Sequence, residues 1–172
     1  VNLDNNQVTG FPGYPSPGSV VGILDIPVVN LNVNGQALTI LGTTLDDTLA
    51  FTPTGLQDGS VTREGSAQVL NFTDVGGPFT LDPSNGVDTV TVNGTAIADA
   101  VSVTVDITNM VQVNTLLAVN TPNATVERLA VSSGQGADTI DVTVFDSVNA
   151  DLFVDAGEPS SIKPVADVLN VI

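Results

Sequence analysis

An imperfect internal repeat of about fifty residues constrains this chain more than any other feature. Gly42-Thr43-Thr44-Leu45-Asp46-Asp47-Thr48-Leu49 returns as Gly94-Thr95-Ala96-Ile97-Ala98-Asp99-Ala100-Val101, and Asn85-Gly86-Val87-Asp88-Thr89-Val90 returns as Gln135-Gly136-Ala137-Asp138-Thr139-Ile140. A unit of that length carries only short apolar strands and cannot bury them alone, so such units stack and each covers the next. With 172 residues, the chain is long enough to hold a core as one continuous stack without metal or disulfide staples.

Local pattern makes those apolar segments strands. Val29, Leu31 and Val33 alternate with Asn30, Asn32 and Asn34, and the Asn34-Gly35 dipeptide then turns the chain into Leu38-Thr39-Ile40. Val101, Val103, Val105 and Ile107 alternate with polar residues, as do Ile140, Val142 and Val144. A period of two predicts strands with one apolar and one solvated face. Turn residues such as Pro53-Thr54-Gly55, Asp58-Gly59, Gly76-Gly77-Pro78 and Pro83-Ser84-Asn85-Gly86 separate the strands. Only Asn109 to Val119 lacks breakers, and its β-branched residues and asparagines favour strand or loop over helix.

The expected fold is all-β: a right-handed parallel β-solenoid of short strands. The alternative is an Ig-like β-sandwich that uses about the same strands in antiparallel hairpins. The expected organisation is an extended Pro/Gly-rich arm over residues 1–19 and a single solenoid domain over 20–172. Its repeat units span about 38–86 and 87–136, with a partial unit over 137–172. The arm is read either as a frayed terminus or linker or as a segment that packs on a neighbouring subunit, and its aromatics Phe11 and Tyr14 are the expected contacts in the second case. The first residue, Val1, follows no basic and apolar leader, which fits a mature secreted product or a piece of a longer chain.

Charge and residue types narrow the function. Nineteen carboxylates, sixteen of them aspartates, face only Arg63, Arg128 and Lys163, a formal net charge of −16. Nucleic-acid binding and attachment to an anionic membrane both need Lys and Arg, so neither partner is expected. No run approaches the roughly 18 apolar residues of a membrane helix, so direct membrane insertion is not expected either. The chain has no His and no Cys, which removes Ser-His-Asp and Cys-His arrangements and most zinc sites. Paired carboxylates can serve a glycosidase, but no Trp and a single Tyr leave a sugar site without aromatic platforms. The chain is therefore read as no enzyme.

Calcium is the one cofactor the composition suggests. Asp46 and Asp47 form the densest acidic pair in the repeated turn and are candidate ligands, since this hard ion takes six to eight oxygens. The competing reading makes the pair solvated turn residues and Asp138 a cap on the next strand's backbone. Asn71-Phe72-Thr73, Asn93-Gly94-Thr95 and Asn123-Ala124-Thr125 match the acceptor pattern for N-linked glycans.

Three runs carry a resemblance: Leu49-Ala50-Phe51-Thr52-Pro53-Thr54-Gly55, Val69-Leu70-Asn71-Phe72-Thr73-Asp74-Val75, and Gly86-Val87-Asp88-Thr89-Val90-Thr91-Val92-Asn93-Gly94-Thr95. They resemble the repeats of large, acidic, secreted surface proteins of planctomycete-type bacteria, over about Leu38 to Val144. That resemblance implies an extracellular β-rich structural or adhesive role and brings no characterised active site. Ser133-Gly134-Gln135-Gly136-Ala137-Asp138-Thr139-Ile140 is also similar to calcium-binding β-roll repeats, with Ser at the first glycine and no second nonapeptide nine or eighteen residues on, and this resemblance implies Asp138 as a third candidate calcium ligand.

The expected function is that of a structural extracellular protein, a module or subunit of a cell-surface layer, stalk or filament. Its partners would be other copies of itself, joined head-to-tail through β edges that a solenoid leaves open at its ends. Val168, Leu169, Val171 and Ile172 form an apolar strand with no polar cap and are the expected contact, meeting the first coil near Ile26 to Ile40. The alternative is an adhesin or a calcium-stabilised spacer module of a giant secreted surface protein.

Overall fold

A computed structural model describes residues 1–9, 20–23, 26–145, 150–157 and 167–172, all of them in strands, turns or irregular segments. The chain is an all-β solenoid of about three turns, its coils flattened between two seven-stranded sheets. β1 (Gln7–Thr9) and β2 (Val20–Gly22) form a small hairpin at one end. The first sheet contains β3 (Val28–Asn32), β5 (Thr48–Pro53), β6 (Gly59–Arg63), β7 (Val69–Thr73), β9 (Thr89–Thr95), β13 (Arg128–Gly134) and β15 (Asp151–Asp155). The second contains β4 (Leu38–Leu41), β8 (Phe79–Asp82), β10 (Ala100–Val105), β11 (Thr108–Val113), β12 (Val119–Pro122), β14 (Thr139–Val144) and β16 (Val168–Val171).

Successive coils meet through parallel ladders, as β5 on β9, β9 on β13, and β10 on β14. This coil-on-coil pairing separates the fold from the Ig-like alternative. The ladder is not parallel throughout, however. The chain lays down β5, β6 and β7 as an antiparallel meander in the first sheet, and β10, β11 and β12 as another in the second. Tight turns allow this: Thr54 and Gly55 both donate to the Asp58 carbonyl at the first corner, and Asp106 donates to Asn109 Oδ1 at the other.

The sequence repeat invites stacking of like on like after fifty residues. Stacked neighbours in the first coils lie instead 39 to 41 positions apart, Asp47 beneath Asp88 and Asp99 beneath Asp138, and those of the last coil 23 or 29. The physical reason is a count of crossings. From β4 to β9 the chain changes sheet three times, at β4–β5, β7–β8 and β8–β9, whereas one turn of the solenoid needs two. Each fifty-residue unit therefore advances the stack by a turn and a half, and every element reappears in the opposite sheet. The meander β5–β6–β7 of the first sheet becomes β10–β11–β12 of the second, and the corner before β5 becomes the corner before β10.

The Asn34-Gly35 step, with both residues at positive φ, makes a corner between sheets rather than a hairpin, since β3 and β4 belong to different sheets. Ile107 ends the Val101 alternation early: β10 stops at Val105, and Ile107 is an exposed turn tip. Residues 1–9 of the expected arm fold onto the first coil. Leu3 donates to the Leu41 carbonyl at 2.9 Å and Leu41 to the Val1 carbonyl at 2.8 Å, which extends the second sheet beyond β4. Leu3, Val8 and Ile23 are buried beneath this cap. Phe11 and Tyr14 lie outside the described residues.

Inward positions of both sheets fill one continuous core of Val, Leu and Ile. Its bulkiest part is a trio of rings, Phe51 and Phe72 from the first sheet against Phe79 from the second, with centroids 4.9 and 4.8 Å from Phe79. Gly59 is required beside them, because a Cβ there would lie 2.6 Å from the Phe51 ring and 2.9 Å from that of Phe72. Outward positions carry polar ladders instead: Asn71 donates to Asn30, Asn93 to Thr52, and Asn170 to Asp141.

Candidate functional site

The repeated Gly-Thr-x-x-x-Asp step is a local carboxylate turn. Asp47 Oδ2 accepts from the Thr43 amide at 2.6 Å, and Asp99 Oδ2 accepts from the Thr95 amide at 2.7 Å. Thr43 and Thr95 hydroxyls accept in turn from the amides of Leu45 and Ile97, so the two corners share one hydrogen-bond plan. Gly42 and Gly94 make room for it. A Cβ at Gly42 would fall 2.3 Å from the Pro83 carbonyl oxygen, and one at Gly94 2.2 Å from that of Ser133. The second repeated step, Gly-x-Asp-Thr, belongs to the coil above, where Gly86 and Gly136 both take φ near +144.

Coils are joined at these corners by two carboxylate columns. In the first, the Asp47 amide donates to Asp88 Oδ1 at 2.7 Å and the Asp88 amide to Glu127 Oε2 at 2.6 Å. In the second, the Asp99 amide donates to Asp138 Oδ1 and the Asp138 amide to Asp167 Oδ1, both at 2.9 Å. Each acid stands immediately before a strand, and below the outermost coil its own carbonyl accepts from the first residue of the strand above, as Asp47 does from Thr89 and Asp99 from Thr139, both at 2.8 Å. A side chain thus satisfies the backbone donor at the place where one parallel ladder begins, a position that burial would otherwise leave unpaired.

Asp47, Asp88, Asp99 and Asp138 are all buried, and their partners differ. Asp47 Oδ1 lies 3.7 Å from the Arg63 guanidinium, the one ion pair among the described residues. Asp99 Oδ1 accepts from the Thr95 hydroxyl at 2.9 Å and from the Asn114 amide group. Asp138 Oδ2 accepts from the Ser133 hydroxyl at 2.6 Å. Asp88 Oδ2 has no partner, although the residue is only 1% exposed. Burial pushes the Asp88 carboxyl above the usual carboxylate range, and the charges of Asp47, Glu127 and Asp46 push the same way, against the pull of the Asp47 amide.

The candidate calcium residues fall into separate columns: Asp46 and Asp47 in the corner before β5, and Asp138 in the corner before β14. Asp46 Oδ1 accepts from the Val87 amide at 2.9 Å. Among the described residues, no three acidic side chains are grouped so as to hold a metal ion. Of the glycan acceptors, Asn123 is buried with its Oδ1 accepting from the Ala150 amide, while Asn71 and Asn93 donate within outward ladders. Val168, Leu169, Val171 and Ile172 are exposed, in β16 and just beyond it at the edge of the second sheet. Beside that end lie exposed Val144, Phe145 and Phe153, and Arg128 stacks over the Phe153 ring at 4.5 Å.

Sequence reasoning singled out Asp47 and Asp138, as candidate calcium ligands, but did not pair them with Asp88 and Asp99. Asp88 and Asp99 stand in the quoted repeat and were legible as its acidic steps, whereas Glu127 and Asp167 have no counterpart motif. No helix among the described residues is long and apolar enough to cross a membrane. No protein-family model matches the chain, and comparison with curated proteins and with solved structures finds no significant match to either.

Proposed function

We propose that the chain is a structural, extracellular module, a rod-like unit of a surface layer, stalk or filament in which β edges join one copy head-to-tail to the next. The observation that carries this reading is the state of the outermost strands. Among the described residues, β15 and β16 have paired on one side only, with Phe153, Leu169 and Val171 about half or more exposed at 48%, 55% and 67%. One-sided strands of this kind are templates for further pairing. At the opposite end of the first sheet β3 also has one side free of any described strand, whereas β4 is already covered by Val1–Leu3. The free edges in the first sheet, β15 and β3, therefore suit a head-to-tail joint better than those of the second.

The absence of His and Cys and the use of the buried acids as strand caps suit a structural role rather than catalysis. Sedimentation velocity over a concentration series, in high salt and in calcium, tests the reading together with electron microscopy of the same samples. Concentration-dependent polymers are expected. A monomer at every concentration in both conditions sinks the self-assembly.

The covered β4 edge favours a second reading, a spacer module within a longer stack of coils, adhesive or calcium-stabilised, with no self-association. Electron microscopy of native material separates the two, since it shows either polymers of this unit or single long chains.

A further inference from the structure

The two sheets are unequal in length, and the surplus decides how one copy can meet another. Asn2 bridges Leu41 on one side and Gln7 on the other, and β1 pairs with β2, so Val1–Leu3, β1 and β2 carry the second sheet three strands past β4. Among the described residues that sheet then holds ten strands against seven in the first. Repetition by pure translation cannot close both sheets. Pairing β15 with the next copy's β3 would drive three strands of the second sheet into their neighbours, and pairing β16 with β2 would leave a three-strand gap in the first. A half turn about the long axis removes the mismatch, because each sheet is then continued by the other sheet of the next copy. The steps at the two ends match as well. Two repeat units lift β4 to β14, five places along the second sheet, so one unit rises two and a half and sets β9 midway. Counted from β9, β3 stops a strand and a half short of β2, and β15 stops the same distance short of β16.

The strands that a half turn brings together are alike, position for position. β3 reads Val28-Val29-Asn30-Leu31-Asn32 and β16 reads Val168-Leu169-Asn170-Val171. Val29 and Leu31 share the inward side with their β7 partners Leu70 and Phe72, and Leu169 and Val171 share it with Ile140 and Val142 of β14. An asparagine faces outward at the middle of each strand. Asn71 donates to Asn30 Oδ1 of the strand beneath it, and Asn170 donates to Asp141 Oδ1 of the strand beneath it, so both rungs point the same way along the axis. The next rung of that ladder is the Asn30 amide group donating to Asn170 Oδ1 of the copy below. Neither strand carries a charged side chain, although the chain bears a net charge of −16 and charge is a common guard on edge strands. β15 does carry such a guard, Asp151 and Asp155, and would set Phe153 beside Asn30.

Resting on the head-to-tail reading, we propose that the partner of β3 is β16 of a second copy turned by half a revolution. The two strands pair in parallel, with Val28 on Val168, Val29 on Leu169, Asn30 on Asn170 and Leu31 on Val171. Strand direction permits this, since a rotation about the axis preserves the sense in which the chain winds around it. Both open edges of the first sheet enter the joint, because β15 meets β2 of the same neighbour. Leu169 and Val171 are covered as Ile140 and Val142 are inside the chain, and the asparagine ladder runs on from one copy to the next.

The chain has no cysteine, so introduced ones report the joint without background. Val28→Cys and Val168→Cys occupy outer positions exposed at 49% and 45%, and paired strands lie about 4.8 Å apart, within disulfide reach. Mixed under a mild oxidant at a concentration where the unmodified chain polymerises, these two variants should link to each other. Val28→Cys mixed with Asp151→Cys, the pair that an unrotated joint between β3 and β15 would bring together, should not link. Asn30→Asp still accepts from Asn71 but has no donor for Asn170, and sedimentation should show its self-association weakened about tenfold or more. Linking of Val28→Cys to Asp151→Cys, or association unchanged in Asn30→Asp, overturns the half-turn joint and leaves head-to-tail assembly standing. Polymers in which Val28→Cys and Val168→Cys never link do the same. An unmodified chain that stays monomeric at every concentration overturns the assembly reading and this joint with it.

Discussion

The Ser133 hydroxyl donates to Asp138 Oδ2 at 2.6 Å, and at the matching corner Pro83 offers Asp88 nothing. One substitution at a repeated position separates a fully satisfied buried acid from an orphaned one. Ser133→Ala should cost about 1–3 kcal/mol, since it removes a donor from a buried carboxylate. Pro83→Ser should stabilise by about 1 kcal/mol if the hydroxyl reaches Asp88. Chemical denaturation of both variants at one pH checks the pair of signs.

Backbone contact between coils sets a second expectation. Gly42→Ala and Gly94→Ala each drive a methyl group onto a carbonyl oxygen of the next coil, at 2.3 and 2.2 Å. Each should destabilise by about 1–3 kcal/mol, the usual range for overpacking that a rigid neighbour cannot relieve. Gly22→Ala is the control, because nothing lies within 4 Å of its added carbon. A denaturation midpoint for Gly42→Ala that matches the control would mean that the coils can separate there without cost.

Loss of Phe79 should be the most damaging core change. Its ring contacts those of Phe51 and Phe72 across the two sheets, and all three are fully buried. Phe79→Ala should lower stability by about 3–5 kcal/mol, and Phe79→Leu by clearly less. Thermal unfolding followed by circular dichroism orders the two.

Metal and salt can be told apart by melting temperature. A chelator should leave the melting temperature unchanged, because the oxygens of Asp47 and Asp138 that face their own corners are engaged by Thr43 and Ser133. Sodium chloride should raise it, since a net charge of −16 is borne with three basic side chains. A drop on chelation in constant salt would put calcium back at Asp46, Asp47 or Asp138.

How far the sequence could be read depended on the range of each interaction. Strands announced themselves, because alternation such as Val101-Ser102-Val103 is a property of adjacent residues. The repeated turns did so too, since Thr43 and Asp47 are only four positions apart. The pairing of Asp47 with Asp88 spans 41 positions and carries no local mark, so the stacking interval could not be taken from the fifty-residue repeat. The meanders hid for a related reason: β5, β6 and β7 show the same two-residue period whether the next strand stays in the sheet or crosses it. At the chain's start, the prolines and glycines near Phe11 obscured the apolar positions Leu3 and Val8 that bury residues 1–9 against the first coil.

A turn and a half per unit has a consequence for how such a rod presents itself to its surroundings. Leu45 and Ile97, exposed at 73% and 70%, occupy one place in the repeat, as do Leu56 and Ile107, at 70% and 73%. Successive copies of any such tip must point to opposite flanks, like steps cut alternately left and right along a pole. Duplicating one unit would extend the rod while reversing the flank on which its last tip stands, and only a pair of units would restore it.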